Sequence, residues 1–401
     1  SISERAVWKM VALCGTLELA TSLFQKFFTL SPVIKIDEVP PRPLDANIQK
    51  MNRAMAAYGQ KIAQAAKNSS SFVYSTFGCY LLFGMVLKGS SNVIEKKKLI
   101  REFGLEDMDE ALIHDTLSSM ISAWASSFAD HSPSLEDAMH CYIYNGIATM
   151  SQIEKGDENP LNFYRFKKIE NKEKTIRNWI NKNTLGYLHY NITNRANDSM
   201  LFNIMSFHGK WKKDFEPPER GGFTTISGEK IGTAIIRSVE TYRCYDSPQG
   251  EMIEKLCKTD GNNYLSFIFM IPKRKDITSI TIDDIESFYV NAEEQVRTLE
   301  MPVLHMHADR DMTGAHFFEG LDLGEGVNVT KAKQISIIDT YDFPEKYIVD
   351  ILKSPKEKCA RADAKIFDAT QPFLFAINLN GIVFMQGAVR DGDSLFLRTC
   401  L

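Results

Sequence analysis

Apolar runs long enough to cross a membrane are missing from this chain. The longest uncharged apolar stretch near its start, residues 10–17, falls far short of the roughly 20 residues that a membrane-spanning helix needs, so no membrane span is expected. Cys-x-x-Cys spacing is absent as well, which argues against a zinc ribbon or a dense disulfide scaffold. The seven cysteines are scattered, and their odd number leaves at least one thiol free or bonded to another chain. Neither sign of charge dominates: 47 Lys and Arg face 51 Asp and Glu, so nothing points to nucleic acid. There is no Gly-x-Ser-x-Gly elbow, no His-Glu-x-x-His and no phosphate-binding Gly-Lys-Ser/Thr loop. Gly324-Glu-Gly326 lacks the rest of a dinucleotide fingerprint and reads as a turn. No feature supports an enzyme, a cofactor or a catalytic residue, and no internal repeat is present.

What is there describes an ordinary globular protein. The 401 residues are 44% hydrophobic and 24% charged, enough for a substantial core. Four Asn-x-Ser/Thr sequons, at Asn68, Asn191, Asn197 and Asn328, are glycosylation candidates if the chain is extracellular. A first residue of Ser rather than Met suits a processed precursor, and secretion is the expectation.

Helical spacing comes first along the chain. Val7, Met10, Cys14, Leu17 and Phe24 recur at helical intervals behind a Ser1/Glu4 capping box, either packing on the body or docking a partner. Pro40, Pro41 and Pro43 then break the chain. A second helix starts at Asp45 and turns Ile48, Met51, Met55, Tyr58, Ile62 and Ala65 to one face. A short strand is expected at 72–74 and an apolar helix at 77–87. Further helices are expected near 107–128 and 172–190. Strands follow at 201–207, 264–271, 298–306 and 334–338. Helices first and strands later, without a βα rhythm, argue for an α+β fold with mostly antiparallel sheets.

Near the end, two almost continuous apolar runs, 373–377 and 382–385, flank Asn380-Gly381, a pair suited to a tight turn with positive φ. This hairpin resembles the C-terminal signature of the serpins, although Phe384-Met385-Gln386-Gly387 is one residue longer before its glycine than the family pattern. A stronger block is Asn203, Phe207, Gly209, Trp211 and Phe215, which resembles the serpin segment running from a central strand of the main sheet into the breach. The stretch 176–186 is similar to the helix crossing that sheet, 72–78 to the shutter, and Met301-Pro302 to a further strand. The resemblance implies a serpin fold with three mostly antiparallel β-sheets, about eight or nine helices and a reactive-centre loop. It divides the chain into an N-terminal helical extension with a Pro-rich linker (1–44), the serpin domain (45–393) and a C-terminal tail (394–401).

The departures from the family carry the functional expectation. In the shutter, Ser75 and Asn203 are kept, Thr76 replaces the usual Pro, Gly78 replaces a second Ser, and Gln334 stands where His is common. Gln retains both donor and acceptor capacity. Inhibitory serpins bury the cleaved loop as a new central strand, and their hinge reads acidic-acidic-x-Gly-Thr followed by small residues. Here the hinge reads Tyr341, Asp342, Phe343, Pro344, Glu345, Lys346 and Tyr347. Pro344 lacks an N–H, Glu345 would bury a carboxylate, and Tyr347 brings bulk where Ala fits. The loop pattern instead suggests a short helix over 343–353, with Phe343, Tyr347, Ile348, Ile351 and Leu352 on one face and Pro355 ending it. Lys356, Lys358 and Arg361 form a charged stretch that offers a basic cleavage region or a solvated loop.

His305, His307, Asp309 and Asp311 alternate along a strand, but a solvated face is the ordinary explanation and no metal is assigned. The resulting expectation is a non-inhibitory serpin-fold protein that binds or assembles with a protein partner. The alternative is an inhibitor of an extracellular serine protease, and a metal carrier is a distant third. An incubation with serine and cysteine proteases separates the first two.

Overall fold

The computed structural model describes residues 36, 44–65, 70–126, 141–148, 164–166, 174, 178, 199–208, 210–259, 263–311, 318, 321, 322, 324, 329–340 and 364–395. The first long helix, α1 (Ala46–Ala65), starts where its cap requires. The Asp45 carboxylate accepts from Asn47 N at 2.9 Å, and its carbonyl accepts from Gln49 N. Met51, Met55, Tyr58 and Ile62 are buried, one stripe at helical spacing. Strand β1 (Phe72–Tyr74) leads into α2 (Thr76–Gly89), buried from Thr76 to Leu87 and therefore apolar on every side. Helices α3 (Val93–Glu102) and α4 (Glu110–Ser126) follow. Tyr58, Tyr80, Phe83 and Phe103 pack ring on ring between these helices, and Tyr80 Oη donates to Phe103 O at 2.7 Å.

The remaining elements are strands β2 (Cys141–Ala148), β3 (Tyr164–Phe166), β4 (Ser199–His208), β5 (Glu219–Thr224), β6 (Lys230–Asp246), β7 (Gly250–Leu256) and β8 (Leu265–Pro272). Helix α5 (Ile282–Asn291) precedes β9 (Glu293–Pro302), β10 (His305–Asp311), β11 (Val329–Asp339), β12 (Ile366–Asp368), β13 (Phe373–Leu379) and β14 (Ile382–Val389). A 3₁₀ turn, Gly392–Ser394, ends the described chain's regular structure. The helix expected over 172–190 falls almost wholly outside the described residues. So do the N-terminal helix, the Pro-rich linker, the four sequon asparagines, and the hinge and loop positions 341–363, including Lys356, Lys358 and Arg361.

Hydrogen bonding joins the described strands into two sheets rather than the three expected. The five-stranded sheet runs β10-β11-β4-β2-β3, and the nine-stranded one runs β1-β14-β13-β8-β7-β6-β9-β12 with β5 also on β6. Strand β6 is the reason. Its 17 residues pair with β5 at one end, with β7 at the other and with β9 along most of their length. The single strand expected at 298–306 is also two. Val303 and Leu304, both fully buried, carry the chain from the larger sheet into the smaller, with Val303 N donating to Ala234 O. The C-terminal hairpin forms as its turn residues dictate: Asn380 has φ 53° and Gly381 φ 88°, the left-handed pair of a two-residue turn. Asn380 also exchanges hydrogen bonds with Tyr264, fixing the hairpin to β8.

Candidate functional site

The candidate site is the junction between β4 and β11, the two central parallel strands of the smaller sheet. Their register sets Gln334 directly beside Asn203. Behind them, Ser75 caps α2: its Oγ accepts from Gly78 N at 3.0 Å and donates to Phe384 O at 2.6 Å. The Gln334 amide reads both backbone groups of Ser75, its Oε1 accepting from Ser75 N at 2.9 Å and its Nε2 donating to Ser75 O at 2.7 Å. Nε2 also donates to Asn203 Oδ1 at 3.2 Å. Ser75, Asn203 and Gln334 are 0%, 0% and 1% exposed, so this is a dry, satisfied network joining the sheet, α2 and β14. Gly78 has no space for a side chain, since a Cβ there would lie 2.0 Å from Asn203 Oδ1 and 2.7 Å from Gln334 Nε2. Thr76 is buried at the start of α2, its methyl turned to Gly59 of α1.

A second anchor closes one end of the same junction. Trp211, three residues beyond β4, is 4% exposed and donates from Nε1 to Thr340 O at 3.0 Å. Thr340, the residue after β11, also accepts at Oγ1 from Leu304 N at 3.0 Å. Beneath the indole lies Lys255, buried, with Nζ 4.5 Å from the Phe215 ring centre, 5.6 Å from Trp211 and 5.7 Å from Tyr242. Its ammonium donates to Glu240, to Lys213 O at 3.0 Å and to Ser238 Oγ at 3.2 Å, and burial lowers its pKa. The chain therefore leaves β11 from a fixed point.

It returns to one as well. Arg297 on β9 is buried and donates to the carbonyls of Lys365 at 3.0 Å and Ile366 at 3.3 Å while binding Glu251 at 2.6 Å. These contacts clamp β12 to the edge of the larger sheet. Of the His/Asp alternation on β10, His305 is engaged by Asp339 across the strand pair, Nδ1 to Oδ1 at 2.5 Å. The side chains of Asp309 and Asp311 lie outside the described residues.

The family model described as Serpin (serine protease inhibitor) matches residues 50–391, most of the chain. This protein belongs to the serpin family. Among solved structures it is similar to native protease nexin-1 crystallised with heparin. The likeness has a TM-score of 0.65 at 16% identity, and covers 86% of this chain and 98% of that one. At that identity the likeness is one of fold. No curated protein matches the chain by sequence.

This serpin also holds a buried polar cluster that sequence reasoning missed. Glu254 on β7 accepts from Tyr264 Oη at 2.7 Å, Ser266 Oγ at 2.7 Å and Tyr289 Oη at 2.6 Å. Arg243 donates to Tyr264 Oη at 2.6 Å and lies 3.4 Å from the carboxylate, while Asn378 Nδ2 donates to Tyr289 Oη at 2.6 Å. Both phenols are raised in pKa, first by burial and next by the Glu254 charge, so they stay protonated and act as donors. The cluster binds α5 to β6, β7, β8 and β13. The sequence carries little signal for it, since the β7 charges fall at Glu251, Glu254 and Lys255 without alternation.

Proposed function

We propose that this serpin is a non-inhibitory binding or assembly protein, extracellular, acting on a protein partner and carrying no catalytic residue. The observation that carries this reading is the hinge sequence immediately after the anchored Thr340. Strands β4 and β11 hydrogen-bond to each other from Ser199↔Val329 to His208↔Asp339. A loop strand entering between them would be bonded on both sides and would need an N–H at each position. Pro344 has none, and Pro is tolerated only at sheet edges or bulges. Glu345 would bring an unpaired carboxylate into the interior, which costs on the order of several kcal/mol or forces its protonation. Tyr347 adds overpacking of roughly 1–3 kcal/mol where a small residue fits. The charges at Lys356, Lys358 and Arg361 then serve a solvated loop rather than a protease bait.

The test is cleavage. Nicking the chain within 341–363 leaves the thermal midpoint within about 4 °C of the intact protein, a shift that roughly 1 kcal/mol produces even in smaller domains. Incubation with a panel of serine and cysteine proteases yields no complex that survives denaturing electrophoresis. A rise of tens of degrees after cleavage, or such a complex, would establish the inhibitory alternative instead.

A further inference from the structure

Helix α3 shows an unusual outer face. Asn92 fixes its start, its Oδ1 accepting from Ile94 N at 3.1 Å and Glu95 N at 3.2 Å and its Nδ2 donating to Asp322 at 3.2 Å. The first turn thereby holds Val93 and Ile94 outward at 60% and 79% exposure, two of the four large hydrophobic residues exposed among those described. Single exposed aliphatics are ordinary, but an adjacent pair on a capped turn is not required by packing. One turn on, at the i+3 and i+4 positions that share this face, stand Lys97 and Lys98, and Arg101 follows one turn later. All three cations are exposed. None forms an ion pair among the described residues, whereas the inward Lys96 is bound to Glu110 at 3.0 Å.

We propose that this face of α3 docks on an anionic lipid surface, with Val93 and Ile94 entering the headgroup region and Lys97, Lys98 and Arg101 meeting lipid phosphate and carboxylate. Aliphatic tips ahead of uncommitted cations are what a peripheral membrane contact requires, because apolar burial and charge attraction act together. A sulfated polysaccharide would use the cations and leave the two aliphatic side chains in water. An acidic peptide would need a fixed apolar complement to them, whereas lipid supplies one without shape demands. The inference stands apart from the question of protease inhibition.

The experiment is flotation of the full chain with vesicles of phosphatidylcholine alone and of phosphatidylcholine mixed with phosphatidylserine. Binding is expected to the mixed vesicles only and to weaken with salt. Each cation near an anionic surface contributes about fivefold, so the Lys97→Gln, Lys98→Gln, Arg101→Gln triple variant loses on the order of a hundredfold in partition. The Val93→Ser, Ile94→Ser variant loses roughly tenfold more than any effect it has on binding to heparin or to a poly-glutamate peptide. All five positions are exposed, so circular dichroism and the thermal midpoint serve as checks that folding is intact. Equal partition to both vesicle types would overturn the proposal. So would binding that survives both variants, or binding that disappears only when residues 1–35 are removed. A loss of heparin or peptide binding, with none to lipid, would assign the face to another partner and overturn it too.

Discussion

Glu254→Ala lowers the free energy of unfolding by about 3–5 kcal/mol, the cost of stripping one partner from a buried, hydrogen-bonded charge pair. The carboxylate holds three hydroxyl donors and faces Arg243 in a site from which water is excluded. Its removal takes the facing charge from a buried guanidinium and the acceptor that two phenols share. Unfolding by urea, followed through the four tryptophans, measures the change as a lower midpoint at unchanged slope. Glu254→Gln keeps the shape but presents an amide N–H₂ to groups that are themselves donors, so it recovers only part of the loss. In an Arg243→Met background the effect of Glu254→Ala shrinks, because the cation that faces the carboxylate is gone. Equal losses in both backgrounds would show that the pair does not interact.

The second large effect is at Gly78. Gly78→Ser sets a Cβ against Asn203 Oδ1 and Gln334 Nε2, both held by hydrogen bonds in a dry interior. Overpacking of this kind costs about 1–3 kcal/mol, and displacing the Gln334 amide leaves buried donors unsatisfied for about 1–3 kcal/mol more. The helix propensity gained by Ser over Gly, about 0.3–0.5 kcal/mol, offsets a fraction. Combining Gly78→Ser with Gln334→His, which shortens the side chain at that end, costs at least 0.5 kcal/mol less than the two changes summed. Additive losses in this double-mutant cycle, read from denaturation midpoints, would mean that Gly78 and Gln334 are not a matched pair.

How far these features were readable from the sequence depends on how each residue earns its place. Asp45, Asn380 and Gly381 act through local backbone chemistry, so the start of α1 and the turn between β13 and β14 were legible to within a residue. Trp211 and the Ser75, Asn203, Gln334 set were found through family spacing, and the structure brings those three within hydrogen-bond distance. Helix α3 was missed because Val-Ile-Glu-Lys-Lys-Lys shows no clean apolar face, and its exposed aliphatics blur what periodicity there is. Helix α5 was missed although Thr281 and Asp284 form a complete capping box there, a local signal that was available. Glu254, Lys255 and Arg243 were invisible for a different reason. A charge in a strand reads as solvent-facing, and only the partners from β6, β8, β13 and α5 make its burial tolerable. That the described strands join into two hydrogen-bonded sheets was not legible for the same kind of reason: it depends on the length of β6, which a local reading does not deliver.

The order in which this chain can fold is constrained by its C-terminal hairpin. Strand β14 pairs with β1, Phe72 with Ala388, and β13 with β8, Leu374 with Met270. The Ser75 cap likewise waits for Phe384. A ribosome therefore releases α2, the most apolar helix described, some 300 residues before the strand that covers one side of it. For that interval the nascent protein cannot close its core, and contacts so distant in sequence form late. A chain that stops between β8 and β13 has an open sheet edge at β8 and an apolar helix left uncovered on one side. Such a product is a substrate for chaperones and proteases rather than a smaller version of the protein.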